Sequence, residues 1–149
     1  MHKARIDALK VIPDAYAAVR GVEGYLRKCG LEKSLYELVK IRASQINQCA
    51  FCLDMHCRDA RAGGETEQRL YVLAGWRDSP LFTKRERAAL AWTECLTRLS
   101  IDGAPDDVYA ALKEEFTDTE IGNLTVLIGQ INLWNRISVG LSAQHPVVA

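Results

Sequence analysis

The sequence has 149 residues, of which 48% are apolar, and its 19 basic residues balance 19 acidic ones. This composition is typical of a globular protein, and the balanced charge favours neither nucleic acid nor an anionic membrane as a partner. No apolar run reaches the roughly 18 residues that a membrane span needs, and the N-terminus lacks the apolar core of a secretory signal. We therefore expect a cytoplasmic protein whose five cysteines are mostly thiols.

The first half of the chain is predicted to be helical. Pro13 suits the first turn of a helix, and Gly30 suits the end of that segment. A second helix is predicted over "EKSLYELVKIRASQIN" (32–47), where apolar residues recur at helical spacing. A third is predicted from about Ala50 to Ala62, because Gly63-Gly64 is a strong stop signal.

The second half continues the helical pattern. A short helix is predicted within "ETEQRLYVLAGW" (65–76), and another within "PDDVYAALKEEF" (105–116). Thr83 with Glu86, and Thr117 with Glu120, have capping-box spacing, so each pair predicts a helix start. The last of these helices is long and apolar and ends near residue 141. We predict a single all-α domain over residues 1–149, with about six or seven helices.

Three side chains that can do redox or acid–base chemistry lie close together at the start of the third helix. On a helix that begins near Ala50, Cys49, Cys52 and His56 share one side within about 60°. Two cysteines at this spacing have Cα atoms about 5 Å apart, which a disulfide tolerates. A helix N-terminus stabilises a thiolate, and Asn47 is a plausible N-cap. His56 is one turn after Cys52, where it can accept the thiol proton or stabilise the thiolate.

Two other interpretations of these residues stay open. Cys49, Cys52 and His56 could bind zinc, with Cys57 or a carboxylate as fourth ligand, although structural zinc sites usually join two separate knuckles and the sequence has one. Alternatively, cysteines are often small buried core residues. This second interpretation is the better one for Cys29, Cys57 and Cys95, which we expect to form no disulfide. A thioredoxin-like fold would require a βαβ pattern, which is missing.

The segment "ELVKIRASQINQCAFCLDMHCRDARAGG" (37–64) resembles the core motif of the AhpD-like alkylhydroperoxidase branch of the carboxymuconolactone decarboxylase superfamily. That motif is a glutamate, eleven residues and then C-x-x-C-x-x-x-H, which corresponds here to Glu37, Cys49, Cys52 and His56. The resemblance continues through residues 70–97. It departs from the pattern at Phe51, because the best-known members have a second histidine just before the second cysteine.

The resemblance implies an all-helical homo-oligomer, trimeric or hexameric, with thiol-dependent peroxidase activity. By this analogy Cys52 is the peroxidatic thiol, Cys49 is the resolving thiol, and His56 and Glu37 form a proton relay. Peroxide would convert Cys52 to a sulfenic acid, Cys49 would condense with it, and an external dithiol, of lipoyl type for example, would reduce the disulfide. No metal, flavin or haem is required. A decarboxylase or lactone-type enzyme and a non-enzymatic redox-sensing oligomer are the alternatives.

Two structural expectations follow. In one straight helix, Glu37 and Cys49 would be about 18 Å apart along the axis, so the chain must bend near residues 47–49 for Glu37 to reach His56. In addition, the long last helix is apolar on most of its circumference, which predicts that a partner subunit covers part of it. Its apolar residues are Leu124, Val126, Leu127, Ile128, Ile131, Leu133, Trp134, Ile137 and Val139.

Overall fold

The computed structural model describes residues 3–147, and within this range the regular secondary structure is entirely helical. The all-α prediction is therefore confirmed. Along the chain the helices are α1 (Ala8–Val11), α2 (Pro13–Leu26), α3 (Lys33–Ile46), α4 (Ala50–Ala62), α5 (Glu67–Val72), a 3-10 turn (Leu73–Gly75), α6 (Lys84–Thr97), α7 (Leu99–Asp102), α8 (Asp106–Glu115) and α9 (Asp118–Gly140).

The predicted six or seven helices correspond to the seven longer ones. The other two, α1 and α7, have four residues each. A single turn is too short for a hydrophobic periodicity to appear in the sequence, so neither was predicted. None of the helices within residues 3–147 is both long and apolar enough to span a bilayer.

Local signals determine where several helices begin. Pro13 is the first residue of α2. Both predicted capping boxes are present, since Thr83 and Glu86 exchange side-chain to backbone hydrogen bonds at the start of α6, and Thr117 and Glu120 do so at the start of α9. Each box satisfies N–H groups that have no partner within the helix.

Helix α3 is the central element of the fold. It packs against α4, α6 and α9, and it contributes residues to all three clusters of buried apolar side chains. The third and smallest cluster contains Ala43 of α3, Cys49 and Cys52 at the start of α4, and Ile131 of α9. Phe51 and Trp134 pack against it. Because α3 is enclosed by neighbouring helices, it is a rigid support for any functional side chain that it carries.

Candidate active site

The connection between α3 and α4 bends sharply, as predicted. Asn47 ends α3, and Gln48 adopts a left-handed backbone conformation with φ 55°. This single residue redirects the chain so that α4 packs against α3. Few non-glycine residues adopt positive φ, so the strained conformation is held by the contacts on either side of it.

The N-cap of α4 is Cys49, so the expectation that Asn47 caps this helix is wrong. The Cys49 Sγ accepts a hydrogen bond from the Cys52 backbone N–H at 3.3 Å. The Asn47 side chain is engaged elsewhere, because its Nδ2 donates to Asn132 Oδ1 at 2.9 Å and Asn135 Oδ1 at 2.8 Å, both on α9. These bonds hold the bend against α9.

Cys49 and Cys52 form a disulfide, with Cα atoms 5.3 Å apart. Each residue is only 1% exposed. Phe51, at the position where the resembling family has a histidine, packs against the buried cysteine cluster instead of supplying a proton donor. Because sulfurs bonded to each other are not thiolates, this oxidised state does not present the zinc ligand set of Cys49, Cys52 and His56.

The bend brings Glu37 of α3 to His56 of α4. Glu37 Oε2 lies 2.9 Å from His56 Nδ1, and both side chains are buried. A carboxylate can only accept, so His56 donates through Nδ1, and its Nε2 is not used in this bond. The predicted contact between Glu37 and His56 is therefore present, and His56 lies one helical turn after Cys52.

Asp59 is a third polar group at this pair, and the sequence reasoning missed it. One carboxylate oxygen of Glu37, one ring nitrogen of His56 and one carboxylate oxygen of Asp59 all lie within 4.8 Å of one another. Glu37 and Asp59 also line a cavity of about 350 Å³, together with Arg27, Lys33 and Tyr36. The spacing of Asp59, three residues after His56, places both on one face of α4 and could have indicated it.

A buried ion pair, also missed by sequence reasoning, lies next to the site. Lys40, 1% exposed, pairs with Glu23 of α2. Tyr36 also donates to Glu23, and Trp134 Nε1 donates to the Oε2 atom of Glu23 at 3.2 Å. Burial lowers the pKa of Lys40, while the Glu23 charge acts in the opposite direction. This network connects α2, α3 and the tryptophan that packs on the cysteine cluster.

The other three cysteines lie apart from this chemistry. Cys29, Cys57 and Cys95 are free thiols, in agreement with the prediction that none forms a disulfide. Burial raises the pKa of Cys57, and the Asp54 and Glu37 charges add to the effect. Burial also raises the pKa of Cys95. Both are therefore less prone to form thiolates than an ordinary cysteine.

Comparison with known proteins identifies the family. The model of the carboxymuconolactone decarboxylase family matches residues 13–94, more than half of the chain. The chain belongs to this family. The match includes Glu37, Cys49, Cys52 and His56, so the whole constellation described above lies in the part that defines the family.

Two proteins are similar to almost the whole chain. The chain is 37% identical to the uncharacterized protein YdfG of Bacillus subtilis over 137 residues, 92% of this chain and 93% of the relative. A crystal structure from Agrobacterium tumefaciens, of a protein of unknown function proposed as an antioxidant defence protein AhpD, is 46% identical. It superimposes with a TM-score of 0.96 over 98% of this chain and 100% of that one.

A more distant structure shows the fold alone. It is an AhpD-core, peroxidase-related protein from Ralstonia eutropha, 22% identical with a TM-score of 0.82, and the match covers 93% of this chain and 74% of that one. Together with the family match, these structures establish the AhpD-like fold of the chain.

Proposed function

We propose that the protein is a thiol-dependent peroxidase that reduces peroxides through a Cys49–Cys52 disulfide cycle. The observation that carries this proposal is that one bend in the chain places a disulfide at the N-terminus of α4 and the Glu37–His56 pair one turn further on. Membership of the family and likeness to an AhpD-type antioxidant protein support this chemistry.

In the proposed cycle, the Cys52 thiol first transfers its proton to His56. The thiolate attacks the terminal oxygen of the peroxide, an S–O bond forms and the O–O bond breaks. The leaving alkoxide takes the proton from His56 and departs as the alcohol. Cys49 then attacks the sulfenic sulfur, an S–S bond forms, the S–O bond breaks, and the hydroxide leaves as water with the Cys49 proton. An external dithiol returns two electrons to the disulfide.

Two effects compete in deciding which sulfur attacks the peroxide. Cys49 is the N-cap of α4, where the helix dipole contributes about 1 kcal/mol or less to a charged group. Cys52 lies one turn from His56, and a nearby imidazole or imidazolium can shift a thiol by several pKa units. The second effect is larger, so we assign Cys52 as peroxidatic and Cys49 as resolving.

The assignment makes an asymmetric forecast. We expect Cys52→Ser to lose the first reaction with peroxide and to leave Cys49 unoxidised. Cys49→Ser should react once, accumulate a sulfenic acid on Cys52, and fail to turn over with a dithiol. Mass spectrometry with mapped thiols, before and after one equivalent of peroxide, measures both outcomes. Cys57→Ser, on the same helix but outside the pair, is the matched control and should behave like the unaltered protein.

Oxidation trapped on Cys49 in Cys52→Ser would instead reverse the two roles. A double variant that lacks both the Cys49 and the Cys52 thiol and still keeps the enzymatic activity of the protein would contradict the peroxidase proposal. It would favour the second candidate, a decarboxylase- or lactone-type activity, for which the observation is the family match itself. A slow reaction with peroxide combined with a fast reversible disulfide would favour redox sensing.

The reductant, assembly and location are part of the same proposal. The reductant is an external dithiol, of lipoyl type for example, and the protein acts in the cytoplasm as a trimeric or hexameric homo-oligomer. Val126, Leu133 and Val139 on α9 are each more than 40% exposed, which supports contact with a partner subunit. Analytical sedimentation at micromolar concentration tests the assembly, and a monomer there would contradict it.

A further inference from the structure

The carboxylate of Asp59 has no role in the cycle described above and no fixed partner. It lies within 4.8 Å of the polar atoms of Glu37 and His56. Among residues 3–147, no side chain forms a hydrogen bond or an ion pair with it, whereas Asp54 of the same helix pairs with Arg58 at 2.8 Å. The Asp59 carboxylate therefore adjoins the buried Glu37–His56 pair without a structural partner among these residues.

Asp59 is less buried than the Glu37–His56 pair that it adjoins. Glu37 is 6% exposed and His56 3% exposed, so this pair has little direct contact with bulk water. Glu37 and Asp59 both line the cavity of about 350 Å³ beside α3 and α4. That volume holds several water molecules, because each needs about 30 Å³. A proton that enters from the cavity therefore meets Asp59 and Glu37 before it reaches His56.

Reduction of the disulfide requires this kind of proton delivery. The external dithiol attacks as a thiolate, having already released a proton to solvent. A new S–S bond forms between the reductant and Cys49, the Cys49–Cys52 bond breaks, and the electron pair goes to Cys52. His56, left neutral by the peroxide half of the cycle, must take a proton from solvent before it can pass one to the Cys52 thiolate. The second thiol of the reductant, as a thiolate, then displaces Cys49 from the mixed disulfide, so that the reductant leaves as its own disulfide and Cys49 takes a proton. The cavity lined by Glu37 and Asp59 offers a route to the buried pair for the proton that His56 takes up.

We propose that Asp59 is the outer carboxylate of the relay and passes protons between water in the cavity and the Glu37–His56 pair. The assignment rests on the proposed disulfide cycle for its role, although the proton transfer can be measured without any peroxide. The charged or titratable groups that face Asp59 are Arg27 from the end of α2, Lys33, Tyr36 and Glu37 from α3, and His56 from its own helix. The two cations attract carboxylates and proton-carrying anions to this cavity.

The test compares Asp59→Asn with Asp54→Asn, a matched control on the same helix. The measured quantity is the rate at which dithiothreitol reduces the Cys49–Cys52 disulfide as pH is varied, read from alkylation of quenched samples by mass spectrometry. We expect the disulfide of Asp59→Asn to be reduced about tenfold more slowly on the alkaline side of the pH profile, where proton delivery limits the rate. Asp54→Asn should stay within about twofold of the unaltered protein.

Formate separates proton transfer from a structural effect. It is a small carboxylic acid that fits the cavity, so it should restore the Asp59→Asn rate to within about twofold and leave the other proteins unchanged. An Asp59→Asn protein with an unaltered pH profile would overturn the assignment, as would a slow variant that formate does not rescue. Because no peroxide is used, failure of the peroxidase proposal would be detected separately.

Discussion

Two regions of the molecule each hold a buried glutamate next to a cysteine, and they differ in what surrounds the carboxylate. In the candidate active site, the Glu37 carboxylate borders a cavity, and His56 is the one side chain within residues 3–147 that bonds with it. In the second region, Glu94 of α6 lies beside Cys95 and is 2% exposed. It accepts hydrogen bonds from Arg42 Nε at 2.7 Å, from Trp76 Nε1 at 2.9 Å and from Arg77.

The difference concerns how firmly each negative charge is held. Burial acts to raise the pKa of Glu94, but hydrogen bonds from Arg77, Trp76 and Arg42 outweigh it and hold that pKa below the usual range. Glu94 is thereby fixed as an anion and ties α6 to α3 and to the segment after the 3-10 turn. Glu37 instead has one partner, the His56 imidazole, whose ring nitrogens can donate or accept a hydrogen bond. Burial alone therefore does not indicate a functional carboxylate; the number and type of its partners do.

Glu94→Gln should produce the largest change. Removing the negative charge leaves Arg42, which is largely buried, without its ionic partner, and breaking a buried pair in this way costs about 3 kcal/mol or more. Urea unfolding should show this loss of stability, whereas the first reaction of the reduced protein with peroxide should keep its rate. An unchanged free energy of unfolding would mean that Glu94 does not hold the helices together.

Glu37→Gln is the matched substitution in the other region, and its effect should be on chemistry. We expect the peroxide reaction to slow about 100-fold, within the range for general acid–base groups, because an amide cannot relay a proton. The free energy of unfolding should change by less than about 1 kcal/mol, since a neutral amide can still accept from His56. Stopped-flow kinetics and urea unfolding of the same preparation provide both values. A variant with full rate and reduced stability would make Glu37 a structural residue like Glu94.

Cys52 in the candidate active site and Cys95 beside Glu94 should likewise differ in the reactivity of their thiols. Burial raises the pKa of Cys95, so its thiolate fraction at neutral pH is small. Reduced Cys52, at a helix N-terminus and one turn from His56, should react with iodoacetamide at least about tenfold faster than Cys95. Peptide mapping after short exposures measures the two rates. Equal labelling would show that the active-site region does not activate its thiol.

The smallest effect should be the pH dependence of the Glu94 contribution. A carboxyl whose folded pKa is depressed adds stability above its unfolded pKa, near 4.3, and that stability is lost as pH falls through the folded pKa. The stability difference between the unaltered protein and Glu94→Gln should therefore be constant near neutrality and narrow in acid. Urea unfolding at a series of pH values tests this, and a difference that widens in acid would give the opposite sign.

Much of this protein follows from its sequence because the relevant interactions are local. The bounds of α4, Ala50–Ala62, were predicted from composition and from Gly63-Gly64, and both capping boxes were predicted from spacing. The proximity of Cys49 and Cys52 is also local, since residues three apart on a helix turn are neighbours whatever surrounds them. The motif also indicated Glu37 and His56.

Only the tertiary structure decided how those residues are arranged and what else surrounds them. The Glu37–His56 contact depends on the left-handed Gln48, and that turn is held by asparagine bonds to α9, which is distant in sequence. The same bonds divert Asn47 from the N-cap and leave that position to Cys49. The Lys40–Glu23 pair and the Glu94 cluster join different helices, and the cavity beside Asp59 is likewise lined from several segments. No periodicity or spacing encodes such contacts, because each requires two segments to meet only after the chain has packed.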